Sequence, residues 1–140
     1  STDGGLTWDT LGSTVTGTPE TTDLWDKIWR IALDPSVDTA DIIYAAVEKK
    51  IYRSDNGGIT WDEALNGSGF GYIFSDVQIS PTGITYATLS SNATDKGIWR
   101  SADHGQSWTK INLSSGWPPN YNRIVLCISP SDENTLYFHY

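Results

Sequence analysis

Hydrophobic residues in this chain occur in short runs that are separated by turn-forming residues. The run at residues 42–47 (IIYAAV) is followed by the charged residues Glu48, Lys49 and Lys50, and similar short runs recur to the end of the chain. The apolar spacing i, i+3, i+4 and i+7 of an amphipathic helix never continues through both i+8 and i+11. Short apolar runs bounded by turn signals are typical of β-strands. The pattern therefore predicts an all-β fold.

An eight-residue pattern, S-x-D-x-G-x-T-W, occurs three times, and we number its copies turn 1 (Ser1–Trp8), turn 2 (Ser54–Trp61) and turn 3 (Ser101–Trp108). The copies begin 53 and 47 residues apart, a spacing typical of repeat folds. Asn56 and Ser107 are the only departures at the patterned positions, and both are chemically close to the usual residue. The structural residues that we assign to the repeated turn are Asp3, Gly5, Thr7 and Trp8, then Asn56, Gly58, Thr60 and Trp61, then Asp103, Gly105, Ser107 and Trp108.

Each position of the pattern suits a tight connection between two antiparallel strands. An Asp or Asn side chain accepts hydrogen bonds from main-chain N–H groups a few residues further on. Glycine follows where the chain must reach a positive φ without a Cβ clash. The closing tryptophan begins the next strand and buries a large apolar area. A calcium site would need several more oxygen ligands, so we expect structural turns, no metal and no other cofactor.

A fixed series of hydrophobic runs surrounds each turn. One run ends at a residue-Pro pair such as Asp34-Pro35, a second contains a tyrosine such as Tyr44, a third ends in Arg-Ser at the start of the motif, and a fourth starts at the tryptophan. The same order recurs before turn 3 and restarts after it. We therefore predict four-stranded antiparallel sheets, with the single cysteine, Cys127, buried in the first strand of the last one.

The three turns in register resemble the Asp-box, or bacterial-neuraminidase, repeat, whose members form β-propellers. The order and spacing of these runs and turns also resemble those of the propellers of xyloglucan-type endoglucanases and of sortilin-like proteins. The resemblance implies a partial propeller of about three blade-equivalents, with the end of one blade at 1–24, full blades at 25–66 and 67–114, and the start of another at 115–140. Closed propellers have about 4 to 8 blades, so we expect the remaining blades of a parent chain as partners.

The resemblance puts the turns on the face of the propeller that lies away from the ligand-binding side, and the connections on that side are aromatic. Trp25, Tyr72, Trp117 and Tyr121 lie near the tips of these connections, beside Asp, Asn and Arg residues. A flat apolar ring with polar neighbours suits a sugar, so we expect carbohydrate binding there. The alternative is that the rings fill gaps between blades, which we expect of aromatic residues nearer the strands.

The charge of the chain opposes binding to polyanions. Nine basic and 17 acidic residues give a formal net charge of -8, which would repel nucleic acid. No apolar run approaches the roughly 18 residues of a membrane span, so we expect no membrane insertion. The remaining partners are a polysaccharide or other glycan, or a protein, in a secreted or cell-surface setting.

No catalytic residue is assigned. The endoglucanases that the chain resembles carry one aspartate in an Asp-x-Gly-Gly-x-Tyr-Arg stretch, and the matching positions here are Glu48 before two lysines and Asp95 before Lys96-Gly97. We expect Glu48 and Asp95 to be solvated hairpin charges. The leading interpretation is a propeller segment that scaffolds or binds a glycan or protein. The alternative is part of an inverting glycoside hydrolase whose catalytic residues lie partly outside these residues.

Overall fold

The computed structural model describes residues 1–14, 24–37, 42–90, 92–111 and 121–140. These residues form two four-stranded antiparallel sheets and one two-stranded sheet, with 3-10 helices at Gly12–Thr14 and Leu24–Asp26. The first sheet contains β1 (Ile28–Leu33), β2 (Ile43–Val47), β3 (Lys50–Ser54) and β4 (Asp62–Asn66). The second contains β5 (Ser75–Ile79), β6 (Thr85–Leu89), β7 (Gly97–Ser101) and β8 (Thr109–Ile111), and the third contains β9 (Val125–Ser129) and β10 (Asp132–His139).

The two four-stranded sheets have the same strand order, and the register between their second and third strands is the same. Each follows the order of the chain, so that every strand pairs with the next one. Tyr44 pairs with Arg53 between β2 and β3, and Tyr86 pairs with Arg100 between β6 and β7. Because one register repeats, the same side chains face the same way in both sheets. This arrangement confirms the predicted all-β fold of four-stranded antiparallel sheets.

The first and second sheets pack face to face through a shared hydrophobic cluster. Tyr44 and Ile51 of the first sheet are fully buried and meet Val77 and Ala87 of the second, with Trp108 at the margin. Burial of a large apolar side chain contributes about 1.5 to 3 kcal/mol, so this interface is a main source of stability. The sheets therefore stack as successive layers.

The second and third sheets repeat this packing. Tyr86 and Ile98 of the second sheet are buried against Ile124, which directly precedes β9, and Leu126, which lies in β9. The hydroxyl of Tyr86 also donates to the carbonyl oxygen of Glu133 at 3.0 Å. Each sheet thus presents the same face to the sheet that follows it in the chain.

A buried carboxylate joins the first strands of all three sheets. The side chain of Asp76, in β5, is fully buried. It accepts a hydrogen bond from Nε of Arg30 in β1 at 2.5 Å and another from the main-chain N–H of Leu126 in β9 at 2.9 Å. A buried charge needs such partners, because an unpaired one is costly in the interior. Asp76 therefore holds three consecutive sheets in a fixed relation.

Two details differ from the sequence-based predictions. Cys127 is exposed, because its neighbour Leu126 faces the second sheet and successive strand residues point to opposite sides. The prediction of a buried cysteine was wrong. The strand expected from Trp8 is also not formed: residues 8–11 lie outside any strand, and the side chain of Trp8 is 78% exposed. Within the described ranges, no neighbouring strand pairs with these residues.

Candidate functional site

The three turns are held by the same internal hydrogen bonds. In each, the side chain at the third position accepts from the main-chain N–H at the seventh, and the first serine accepts from the N–H of the glycine at the fifth. The first set comprises Thr7 to Asp3 at 3.0 Å, Thr60 to Asn56 at 2.9 Å and Ser107 to Asp103 at 2.9 Å. The second set comprises Gly5 to Ser1, Gly58 to Ser54 and Gly105 to Ser101, all at 2.8 Å.

Hydroxyl donors lower the pKa of the two aspartates in these turns. The Thr7 hydroxyl donates to Asp3 and, with its own N–H, holds the pKa of that carboxyl well below its usual range. The Ser107 and Ser101 hydroxyls do the same for Asp103 and lower its pKa to about 2. The carboxylates are therefore ionised structural acceptors, and each accepts three hydrogen bonds from its own turn.

The tryptophan closes two of the turns directly and the third through a serine. Trp8 donates from Nε1 to the carbonyl oxygen of Gly5 at 3.1 Å, and Trp108 does the same to Gly105 at 3.2 Å. In turn 2 the hydroxyl of Ser13 lies between the two groups: it accepts from Nε1 of Trp61 and donates to the carbonyl oxygen of Gly58. The segment before the first sheet is thereby attached to turn 2.

Turn 3 rests on the first sheet. Nδ1 of His104 lies 2.8 Å from Oδ2 of the buried Asp34, and Nε of Arg53 donates to the carbonyl oxygen of His104 at 2.7 Å. Gly105 has a φ of 79°, and a Cβ built on it would lie 2.7 Å from the ring of Tyr44. Glycine is required here both by the backbone conformation and by the close approach of the ring.

The opposite end of the sheets carries the connection from β4 to β5. Successive antiparallel strands place this connection beside the β2–β3 hairpin and away from turns 2 and 3. Gly67 donates to the carbonyl oxygen of Lys49 at 2.8 Å, and Lys49 donates to that of Ile73 at 3.0 Å. Both ends of the connection are therefore fixed to the hairpin of the first sheet.

We call the surface formed by Lys27, Glu48, Phe70, Tyr72 and Asn92 the connection-face patch. Phe70 is 95% exposed and Tyr72 is 58% exposed. The Nζ of Lys27 lies 4.1 Å from the centre of the Tyr72 ring and 2.7 Å from a carboxylate oxygen of Glu48. The hydrogen bond to Glu48 raises the pKa of Lys27. The side chain of Asn92 donates to the carbonyl oxygen of Tyr72 at 3.0 Å. Two aromatic rings are thus presented on a backbone held by polar contacts.

The other candidate carbohydrate-binding residues have different surroundings. The Trp25 ring stacks on Tyr52 with centroids 4.8 Å apart and meets the edge of Trp61 at 5.1 Å. Tyr121 is 6% exposed and belongs to the hydrophobic cluster between the second and third sheets. Trp117 lies outside the described residues. Of the described candidates, Tyr72 is the one whose side chain is mostly open to solvent.

Sequence reasoning did not assign Phe70, Lys27 or Asn92 to a site. A phenylalanine between two glycines, as in Gly69-Phe70-Gly71, was the available signal for an exposed ring, since glycine neighbours leave little apolar surface to cover it. Lys27 and Asn92 reach the patch from separate connections. No sequence pattern predicts that these two residues lie close to Tyr72.

The acidic residues considered for catalysis are held differently from each other. Glu48 is not a solvated hairpin charge: its side chain is 12% exposed and paired with Lys27. Asp95 is exposed, and its carbonyl oxygen accepts a hydrogen bond from Nε1 of Trp99 at 3.1 Å. Within the described ranges, no three His, Cys, Asp or Glu side chains are placed to hold a metal ion together.

Comparison with known proteins supports a propeller. No protein-family profile matches the chain. It is 36% identical over 88 residues to the vacuolar protein sorting/targeting protein 10 of Penicillium rubens, covering 63% of this chain and 5% of that protein. It is 32% identical over 100 residues to the protein of the same name in Aspergillus fumigatus, covering 71% of this chain and 6% of that protein. The chain thus spans only a small part of these relatives.

A solved structure shares the fold over nearly the whole chain. The crystal structure of a GH74 enzyme of Niastella koreensis superimposes with a TM-score of 0.70 at 24% sequence identity, covering 97% of this chain and 20% of that one. Together with the repeated four-stranded sheets, this similarity defines the protein as a set of β-propeller blades. None of the helices in the described residues is long and apolar enough to cross a membrane.

Proposed function

We propose that this chain is part of an Asp-box β-propeller that binds a partner protein through the connection-face patch. The observation that carries the proposal is the pair of exposed rings, Phe70 and Tyr72, on a connection fixed at both ends. Exposed aromatic side chains on a rigid support provide contact area at low entropic cost and are enriched among residues that dominate binding energy. In this proposal, 25–66 and 67–114 are full blades, 1–24 ends the blade before them and 115–140 begins the one after.

A protein partner fits the relatives better than any other partner class does. The fungal relatives are named for sorting and targeting, an activity that requires recognition of other proteins. The patch also offers one positive and one negative group, Lys27 and Glu48, already paired with each other. Such a rim suits a peptide of mixed character more than a highly charged ligand. A secreted or cell-surface setting belongs to the same proposal.

The test is selection of ligands from a random-peptide phage library on the purified protein. Selected peptides should bind the wild-type protein and lose affinity by at least about tenfold with the double variant Phe70→Ser/Tyr72→Ser. Tyr137→Ser is the matched control, because Tyr137 is 65% exposed on β10, outside the patch. Peptides that bind all three proteins equally, or a library that yields no binder, would count against a peptide-binding patch.

A glycan is the second candidate ligand, because an exposed tyrosine ring beside amide and ammonium groups can also stack on a sugar. Affinity electrophoresis in gels that contain xyloglucan tests this candidate. Retardation that is lost in Tyr72→Ala or Trp117→Ala, while the variant keeps the Tm of the wild type, would favour glycan binding. New reducing ends that disappear with Asp95→Asn or Glu48→Gln would favour the glycoside hydrolase alternative. If the protein migrates alike in gels with and without xyloglucan and releases no reducing ends, both glycan binding and hydrolysis are excluded for this polysaccharide.

A further inference from the structure

Turn 2 carries an amide at the position where the other two turns carry a carboxylate. Asn56 holds the third position of the motif, which is Asp3 in turn 1 and Asp103 in turn 3. The next residue is Gly57. Asparagine is a chemically labile residue, and a following glycine favours loss of its amide nitrogen because glycine has no side chain to hinder ring closure. Turn 2 is therefore a candidate for a covalent change at a defining position of its motif.

The side-chain amide of Asn56 is polarised by the hydrogen bonds of its turn. Its Oδ1 accepts from the main-chain N–H of Thr60 at 2.9 Å and from the hydroxyl of Ser54 at 2.9 Å. Its Nδ2 donates to the hydroxyl oxygen of Thr60 at 2.7 Å. Two donors on a carbonyl oxygen stabilise the negative charge that develops there when a nucleophile attacks the carbonyl carbon. The turn thus activates the Cγ atom of Asn56 towards attack.

The chain contains a second Asn-Gly pair, Asn66-Gly67, in different surroundings. Gly67 is buried, and its N–H donates to the carbonyl oxygen of Lys49 at 2.8 Å. The N–H of Gly57, by contrast, has no hydrogen-bond acceptor within the described residues, and Asn56 is exposed to water. The attacking nitrogen is therefore available in turn 2 and held by another group at Gly67. The two pairs form an internal comparison.

We propose that Asn56 is a self-modification site, at which turn 2 converts its own asparagine to aspartate. The nitrogen of Gly57 attacks Cγ of Asn56 and gives up its proton, while Nδ2 of Asn56 takes up a proton and leaves as ammonia, which closes a succinimide ring. Water then adds to Cγ and breaks the bond between Cγ and the Gly57 nitrogen, which regains a proton. The new carboxyl ionises and its proton passes to ammonia. One water is consumed and one ammonium ion is released.

The product carboxylate suits the hydrogen bonds of the turn. Asp3 accepts from the hydroxyl of Thr7 at 2.6 Å, and Asp103 accepts from that of Ser107 at 2.5 Å. In turn 2 the corresponding hydrogen bond runs the other way, from the amide nitrogen to Thr60. A carboxylate at residue 56 lets the Thr60 hydroxyl donate instead, and a hydrogen bond to an ionised acceptor is stronger than one between neutral groups. Turn 2 then acquires the network of turns 1 and 3.

The direction of ring opening decides whether the turn is preserved. Attack of water on the main-chain carbonyl carbon of residue 56 would give isoaspartate, which lengthens the main chain and disrupts the turn. Ser54 and Thr60 donate to the side-chain oxygen of Asn56, so these donors favour attack at Cγ. We therefore expect aspartate as the main product.

Peptide mapping by mass spectrometry on the 140-residue protein tests this proposal. The protein is incubated at mildly alkaline pH, either folded or unfolded in guanidinium chloride, and the peptides that contain Asn56 and Asn66 are followed with time. In the folded protein Asn56 should deamidate at least about tenfold faster than Asn66, because the N–H of Gly67 is bound to Lys49 and the oxygen of Asn56 has two donors. In the unfolded chain the two residues should react at similar rates, and Asn56 should react no faster there than in the folded protein.

A transplanted pair shows whether the turn itself promotes the reaction. Asp103→Asn/His104→Gly places an Asn-Gly pair in turn 3, where Ser101 and the N–H of Ser107 supply the same two donors. This pair should deamidate at about the rate of Asn56, and the modified peptide of turn 2 should co-elute with that of Asn56→Asp. A transplanted pair as slow as Asn66, an Asn56 that reacts more slowly folded than unfolded, or isoaspartate as the main product would overturn the proposal.

Discussion

Nδ1 of His104 lies 2.8 Å from Oδ2 of Asp34, so that turn 3 of the second sheet is tied to the connection between β1 and β2 of the first. The two residues are 70 positions apart in the chain, and their contact exists only when the sheets stack. The side chain of Asp34 is fully buried, and it also accepts from the N–H and hydroxyl of Ser36. The stability of this polar contact is therefore a direct measure of blade packing.

Removal of the histidine should weaken the interface. His104→Ala leaves the buried carboxylate of Asp34 with fewer partners and keeps a non-glycine residue at a φ of 54°, so we expect a loss of about 1 to 3 kcal/mol in the free energy of unfolding. His104→Gly should lose about 1 kcal/mol less, because glycine adopts positive φ freely. Urea unfolding measures both.

The double variant Asp34→Ser/His104→Gly is the control for this pair. Ser80 precedes Pro81 in the second sheet as Asp34 precedes Pro35 in the first, and turns 1 and 2 have glycine at the position of His104. The double variant should recover part of the loss seen with His104→Gly alone. Additive effects of the two substitutions would mean that the contact contributes nothing to stability.

Asp34 also makes the packing sensitive to acid. Burial alone would raise the pKa of Asp34, but hydrogen bonds from Ser36 and His104 outweigh it and the pKa lies below its usual range. A carboxyl whose pKa is lowered by folding stabilises the protein above the unfolded pKa of about 4 and loses that contribution as the pH falls through the folded value. Wild type should therefore lose stability below about pH 4 more steeply than Asp34→Ser/His104→Gly. Parallel curves of unfolding midpoint against pH for the two proteins would show that this carboxyl is not responsible.

Gly105→Ala should be more harmful than Gly5→Ala, although both glycines hold the fifth position of a turn. Their φ values are 79° and 92°, so each substitution strains the backbone by about 1 kcal/mol. A Cβ on Gly105 would lie 2.7 Å from the Tyr44 ring, whereas one on Gly5 would meet only Trp8 at 3.6 Å. The clash should add about 1 to 3 kcal/mol at Gly105. Similar unfolding free energies for the two variants would argue against turn 3 resting on the first sheet.

Asp76 should be among the most sensitive polar residues. Asp76→Ala removes the acceptor for both Arg30 and the N–H of Leu126, and we expect it to destabilise by about 3 kcal/mol. Asp76→Asn keeps one oxygen for the N–H and should cost less, because Arg30 is partly exposed and can be hydrated. The exposed Asp95→Asn serves as control and should change stability by about 0.5 kcal/mol or less. If Asp76→Ala were as mild as the control, the three-strand junction would not be a source of stability.

The turns predict a second pH effect that does not involve packing. The pKa of Asp103 is lowered to about 2 by the Ser107 and Ser101 hydroxyls and the Ser107 N–H, so its contribution is present above about pH 4 and lost as the pH falls towards 2. Asp103→Asn should keep the turn, as Asn56 does in turn 2, and remove this pH dependence. Asn56→Asp should add it to turn 2. A constant difference in unfolding midpoint between wild type and Asp103→Asn from about pH 5 to about pH 2 would contradict this assignment.

Much of the fold could be predicted because it depends on short sequence patterns, and the turn motif among them occurs three times. The turn motif and the apolar runs around it specify hairpins whose register follows from two-residue periodicity. The burial of Cys127 could not be obtained in this way, since it depends on which face of β9 meets the second sheet. The exposure of Trp8 was missed for a similar reason: a turn can form its own hydrogen bonds, but its tryptophan is buried only by a neighbouring repeat.

The candidate site was harder to predict than the fold. Composition identified the aromatic connections, and Tyr72 lies on one of them with an exposed ring. Trp25 and Tyr121 have the same composition around them, yet Trp25 stacks on Tyr52 and Tyr121 packs in a core cluster. Whether a ring faces solvent or a sheet is decided by contacts between residues far apart in sequence, such as that of Lys27 with Tyr72.

The most direct test of blade packing is a nuclear Overhauser experiment on the isotope-labelled protein, read between the Tyr44 ring and Gly105. The stacked arrangement predicts strong cross-peaks from the ring protons of Tyr44 to the α protons of Gly105, since these groups are in van der Waals contact. Cross-peaks from Gly105 to residues of its own turn alone, with none to Tyr44, would contradict the stacked blades on which the proposed binding face depends.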